Sequence, residues 1–248
     1  LLLPLSAMFY FSFLTVAPIG GRESHATLTH YISFFTKEIY WYNAWRSFEL
    51  ALWVTGFCVA LGYPAAYALA RFEFRGKQDL WFWFITNRFV SPVVLAFPVF
   101  LISRELGLRD THLALILMYL TFTLPIVIWI MRDQFSSIPT ELEEAALVDG
   151  LSIWGAFLTI ILPIALPGMV AAFILSVILC WNEYFFAALL TSTHANTLPV
   201  MVASQTGSQG ISWWSMAALS FAAIIPLIII GVLLERYIIK GMAAGAVK

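Results

Sequence analysis

Residues 141–163 run ELEEAALVDGLSIWGAFLTIILP, and what surrounds them follows from how they fold. Thr140 followed by Glu143 fits a capping box, in which the hydroxyl accepts from the third backbone N–H and the glutamate reaches back. Glu141, Glu143 and Glu144 then lie at the positive end of the helix dipole. Gly150 stops this helix after about two turns, because glycine takes the left-handed conformation of a C-terminal cap at no steric cost. Beyond it, Ile153, Trp154, Phe157, Ile160 and Ile161 recur at helical spacing and gather on one face of a second short helix, which Leu162 and Pro163 end. The expectation is two short helices joined by a glycine corner, with the second lying against an apolar layer.

That layer is lipid. Of the 248 residues, 61% are hydrophobic and 11% charged, whereas a soluble domain carries about a quarter charged residues. Stretches such as 213–234 contain no ionisable side chain at all. At about 20 apolar residues per crossing, the gaps between charges and turn residues define six spans, 1–19, 48–70, 80–102, 113–131, 164–190 and 212–234. The chain opens on Leu-Leu-Leu-Pro with no basic segment and no evident signal peptide; if its start is trimmed, 1–19 is the visible part of a first span. Segment 20–47 is polar yet rich in Tyr and Trp, which suits an external cap lying at the headgroup level, with a partner-docking surface as the alternative. Pro64, Pro92, Pro98, Pro125, Pro167 and Pro226 fall inside spans, where neighbouring helices can re-satisfy the carbonyls they free.

With both ends inside, seven basic residues lie in inner segments against five outside, and Arg71, Arg75 and Lys77 share one short loop. That places the 132–163 loop on the cytoplasmic side. The net charge of −1 with scattered basic residues offers no footprint for nucleic acid. Cys58 and Cys180 lie in apolar runs and behave as small hydrophobes. His25, His30, His112 and His194 lack ligand spacing, so no metal site is expected.

Charges within spans are costly and are candidates for function. Arg88, in the third span, could line a pathway or pair with Asp79 or Glu183. In the fifth, Asn182 and Glu183 could hydrogen-bond sugar hydroxyls while the Trp181 indole stacks on a pyranose face. A structural ion pair or interhelical hydrogen bond accounts for the same residues.

Glu144-Ala145-Ala146, Gly150, Ile160, Leu162 and Pro163 match the pattern E-A-A, three residues, G, nine residues, I, one residue, L-P. This resembles the signature loop of ABC importer permeases. Residues 65–77, 137–139, 181–185 and 240–248 extend the resemblance over most of the chain, towards the second permease of maltose-type carbohydrate importers. The resemblance implies an all-α membrane protein of the type I importer permease fold, in the prokaryotic inner membrane with both termini cytoplasmic. It implies a coupling helix that docks on an ABC ATPase dimer. Ala145 and Ala146 would keep one face of that helix thin, Glu144 would supply a charge, and Gly150 the turn. The implied partners are a second, different permease chain, the ATPase dimer and an extracellular solute-binding protein, with a sugar or polyol as the solute. No cofactor is expected in this chain, since it lacks a G-x-x-x-x-G-K-[ST] phosphate loop and ATP with its Mg would bind the partner ATPase. An ion-coupled secondary transporter is the alternative, but no inverted repeat with paired broken helices is evident. An intramembrane enzyme would need facing nucleophile, base or metal ligands, and only isolated charges are present.

Overall fold

Among the described residues, four helices are long and apolar enough to cross a membrane, and one sharply bent pair of shorter helices meets the same test together. The computed structural model describes residues 2–16, 24–207, 210–211 and 213–246. Helix α1 (Leu2–Ser12) leads into a small hairpin of β1 (Leu14–Val16) and β2 (Ser24–Ala26), then α2 (Thr29–Thr36). The 34-residue α3 (Glu38–Arg71) is followed by α4 (Lys77–Asn87) and α5 (Pro92–Glu105), and then α6 (His112–Ser136). Helix α7 (Glu141–Val148) lies in the loop beyond α6. Next come α8 (Ile153–Ala156), a π turn at Phe157–Ile161 and α9 (Leu162–Trp181). Short α10 (Phe185–Leu190) and α11 (Leu198–Ala203) precede the two-residue strands β3 (Thr206–Gly207) and β4 (Gly210–Ile211), and α12 (Trp213–Ala246) closes the chain.

The core lies where α3, α6 and α9 pack, around Val54, Cys58, Leu115, Ile128, Met131 and Ile161. Lipid tails compete for apolar surface, so packing depends on close approach and interhelical hydrogen bonds. A Cβ on Gly62 of α3 would stand 3.1 Å from Leu124 and Val127 of α6, and one on Gly168 of α9 would overlap Gln134. Tyr63 donates to the Met169 carbonyl at 2.8 Å, and the Thr55 and Ser176 hydroxyls lie 3.1 Å apart.

Several sequence boundaries are corrected. The first expected span, 1–19, is helical only to Ser12; the chain then turns into β1, where Thr15 and Val16 favour extended backbone. Residues 17–23 lie outside the described residues. The external segment 20–47 is not one surface cap, because 38–47 form the first turns of α3. The third span, 80–102, is broken: α4 and α5 meet at 97°. Pro92 opens α5 and holds Ser91 extended, at φ −65° and ψ 128°, which excludes a continuous helix. The fifth span, 164–190, starts earlier and is interrupted at Asn182–Tyr184.

Leu162 and Pro163 do not end a second short helix. Ile153–Trp181 runs as one long helix through the π turn. The Leu162 N–H bonds to Phe157 five residues back, so the extra residue lets Pro163 enter at the first turn of α9 without stopping the column. Pro125, within α6, leaves the Thr121 carbonyl without its helical donor, and the Asn87 side chain supplies one at 3.0 Å.

Candidate functional site

Helix α7 turns two different faces outward and inward. Glu143 and Ala146, one turn apart, point towards the bundle, and Ala146 is buried. Glu144 and Ala145 are exposed, and Val148 is 87% exposed. The two alanines are adjacent in sequence and so about 100° apart on the helix; they do not share the thin docking face expected of them. The thin side of α7 is an outward strip of Glu144, Ala145 and Val148. The corner itself is as the sequence predicts: Gly150 has φ +91°, Leu151 N–H bonds to Ala146 O, and Gly150 N–H to Leu147 O. This is the paired-bond cap of a left-handed terminal glycine.

The capping box does not form. Thr140 is helical at φ −69° and ψ −25° and makes no side-chain cap bond. Glu143 is engaged elsewhere. It forms an ion pair with Arg71, in the last turn of α3, and accepts from the Tyr67 hydroxyl at 2.9 Å. Arg71 Nη2 also donates to the Ile138 carbonyl at 2.8 Å. The Arg71 and Glu143 side chains are 9% and 13% exposed. Beneath them Tyr67 packs on Phe135 of α6 and on Phe157 of the π turn, with ring centroids 5.8 and 4.5 Å apart. The loop helix thus rests on α3, α6 and the start of the α9 column. Ile160 and Leu162 are half-buried on that column and Pro163 is exposed at its side, while Ile153 and Trp154 face outward.

The candidate pathway residues gather at two helix breaks. Arg88 stands at the α4–α5 corner and Glu183 at the α9–α10 corner, and both line one cavity of about 160 Å³ with Pro92, Tyr119, Thr123 and Cys180. Among the described residues, no ion pair within 4 Å joins Arg88 to Glu183 or Asp79. Glu183 caps α10: its carboxylate accepts from Phe186 N–H at 2.9 Å and Ala187 N–H at 3.2 Å. Trp181 is buried, and its indole N–H donates to the Ala223 carbonyl of α12. Asn182 is exposed, with its amide turned back on the Ile178 carbonyl, and it lines a second cavity of about 460 Å³ against α11 and α12. Trp181 and Asn182 thus line the cavity against α11 and α12, while Glu183 faces the one shared with Arg88. Among the described residues no group of three or more His, Cys, Asp or Glu is placed to hold a metal ion.

The family described as binding-protein-dependent transport system inner membrane component matches residues 59–243, from the middle of α3 to the end of α12. This chain belongs to that family. The permease is 38% identical over 228 residues to the trehalose transport system permease SugB of Mycobacterium tuberculosis, covering 91% of this chain and 83% of that protein. It is 35% identical over 225 residues to the Escherichia coli ABC transporter permease YcjP, covering 90% and 80%. Its fold matches a chain of a bacterial ABC transporter involved in alginate import, with TM-score 0.76 at 23% identity over 94% of this chain and 89% of that one. It is a multi-pass inner membrane protein with the ABC importer permease fold.

At the far end of the permease from α7, sequence reasoning missed Asp110. Its backbone is left-handed at φ +58°. Its carboxylate accepts backbone N–H groups from Ser192 at 2.9 Å, Thr193 at 3.2 Å, His194 at 3.0 Å and Ala195 at 3.1 Å, and the hydroxyls of Ser192 and Thr193 as well. Burial works to raise this carboxyl, but the four backbone donors outweigh it and hold it well below the usual carboxylate range. The bond ties the α5–α6 loop to the segment after α10. An aspartate before Thr111, the residue that caps α6, was the one available signal.

Proposed function

We propose that this permease forms half of the pathway of an ABC importer for a carbohydrate, polyol or related polyhydroxylated solute. It pairs with a second permease of different sequence, an ABC ATPase dimer and an extracellular solute-binding protein. Helix α7 and both termini face the cytoplasm, with α1 belonging to a sixth crossing, in keeping with Arg71, Arg75, Lys77 and Arg132 at that end. ATP and Mg²⁺ act on the partner ATPase, and this chain carries no cofactor.

One observation carries the reading: α7 is a loop helix firmly bound on one face and bare on the other. A rigid helix with an exposed strip of Glu144, Ala145 and Val148 suits a cleft on a nucleotide-driven partner. Gly150, Ile160, Leu162 and Pro163 set the direction in which that movement enters α9. Support for the solute class comes from the relatives, which include permeases for trehalose, for trehalose or maltose in Thermococcus litoralis and for diacetylchitobiose in Streptomyces coelicolor. Arg88 and Glu183 line the pathway at the two facing helix breaks, with Trp181 and Asn182 on the flank towards α12. Among the described residues no carboxylate lies within 4 Å of the Arg88 guanidinium, which suits it to hydroxyl or anionic groups of a passing solute. An ion-coupled carrier has no use for a bare helix braced in this way.

The test is to extract the permease from its native membrane in mild detergent and identify what remains bound by mass spectrometry. An ABC ATPase and a second permease are expected, and a Glu144→Cys variant should crosslink to the ATPase. Recovery of the chain alone, with no ATPase crosslinked through that cysteine, would overturn the assignment.

A further inference from the structure

We infer that the Arg71–Glu143 pair, steadied by Tyr67, is the strut that carries movement of α7 into α3, making Arg71 and Glu143 positioning residues for coupling. The inference rests on the importer reading above and goes beyond it by naming the path that force takes within the chain.

Besides the short link 137–140 back to α6, two routes lead from α7 to the membrane helices. The covalent route passes through the left-handed Gly150 corner, the four-residue α8 and the π turn before reaching α9. The backbone torsions of the glycine corner are soft, so this route passes displacement on less directly than a packed contact does. The second route crosses one ion pair from the first turn of α7 to the last turn of α3. Arg71 grips at two points, since it also holds the Ile138 carbonyl at the entry to α7. The pair is mostly buried, so water neither screens nor replaces it. Helix α3 is continuous from there to the opposite end of the bundle, where the Ser47 hydroxyl accepts the Leu198 N–H of α11 at 2.7 Å. Displacing α7 therefore moves both ends of α3, whose middle packs on α9 through Thr55 and Ser176.

The experiment uses the assembled importer in proteoliposomes and needs no solute. Cys180 lines the cavity shared by Arg88 and Glu183, and in a Cys58→Ala background its labelling by N-ethylmaleimide is read by mass spectrometry with and without Mg-ATP and vanadate. Nucleotide is expected to change the Cys180 labelling rate by about tenfold in the parent, within the range of ordinary coupling energies. Arg71→Met with Glu143→Leu removes the tie while keeping apolar bulk in its place. This variant should retain its bound ATPase and hydrolyse ATP, yet label Cys180 at the same rate with and without nucleotide. Arg71→Lys, which keeps the charge pair, should restore the response. If the double variant does not assemble, Tyr67→Phe takes its place; it deletes one bond to Glu143 and should reduce the nucleotide response about threefold.

A nucleotide response equal to the parent's in the double variant, or in Tyr67→Phe if only that one assembles, overturns the strut. So does loss of response together with loss of bound ATPase in Tyr67→Phe, because the pair would then serve docking alone. A parent importer whose Cys180 ignores nucleotide overturns the pathway reading, and the strut with it.

Discussion

Glu143 and Asp110 hold opposite ends of this permease, and they hold them in different ways. Glu143 depends on two side chains, Arg71 and Tyr67, that reach it from α3. Asp110 lies in a cradle of four backbone N–H groups that the chain path itself supplies. A carboxylate held by backbone cannot lose those donors to a side-chain change among the donors, whereas one held by a single arginine can. The end that would meet an ATPase is thus built on a separable tie, and the opposite end on a fixed one.

Arg71→Ala should show the largest effect, because it strands a mostly buried carboxylate with the Tyr67 hydroxyl alone. Breaking such a pair costs about 3 kcal/mol or more, which lowers the melting midpoint of the purified permease by roughly 10 °C. A shift of only a degree or two would mean that Tyr67 suffices and that the tie at this end is not fragile.

Asp110→Ala should cost somewhat less, about 2 kcal/mol, since the nest is partly exposed and water can reach its N–H groups. The midpoint should fall by roughly 5 °C, while Thr193→Ala, which removes one hydroxyl and no backbone donor, should barely move it. The pH dependence has a definite sign. The folded carboxyl is held below its unfolded value of about 3.9, so its stabilisation is fully present above that value and is lost as pH falls through the folded one. The gap in midpoint between wild type and Asp110→Ala should be the same at pH 8 and pH 5. A gap that halves over that interval would contradict the backbone cradle.

The contrast between the two ends also governs what could be foreseen. Apolar runs located the long helices α3, α6, α9 and α12, because lipid permits little else between charges, but of the six expected spans the described residues give four long helices and one bent pair. The glycine corner was legible because Gly150 has one cheap backbone role and a recognisable spacing to Pro163. Which of two adjacent glutamates faces the bundle was not, since Glu143 and Glu144 differ only by a rotation that packing against Arg71 decides. The break at Pro92 was hidden because Pro98, six residues on, is tolerated inside α5. Asp110 was invisible for a different reason: its partners are backbone groups 82 to 85 residues away, and a sequence does not display backbone donors.

Asn87 sharpens the comparison within the membrane. Its amide replaces the donor that Pro125 removes from Thr121, so it is a side chain serving backbone, the reverse of the arrangement at Asp110. Asn87→Ala should cost about 1 kcal/mol, or roughly 3 °C in melting midpoint, with no change in ATPase binding.

The smallest effect is the most discriminating. Were Thr140 and Glu143 a capping box, Thr140→Ala would cost about 1 kcal/mol and would loosen α7 as Arg71→Ala does. In the structure Thr140 contributes only its backbone carbonyl, which accepts from Glu143 and Glu144 N–H at 3.0 Å and survives the substitution. The hydroxyl makes no cap bond, and Glu143 is already turned towards α3. The midpoint of Thr140→Ala should therefore match wild type within a degree, and amide exchange in 141–148 should be unchanged. Faster exchange across that helix would return Glu143 to the cap, and the ion pair with Arg71 would no longer be what holds α7 in place.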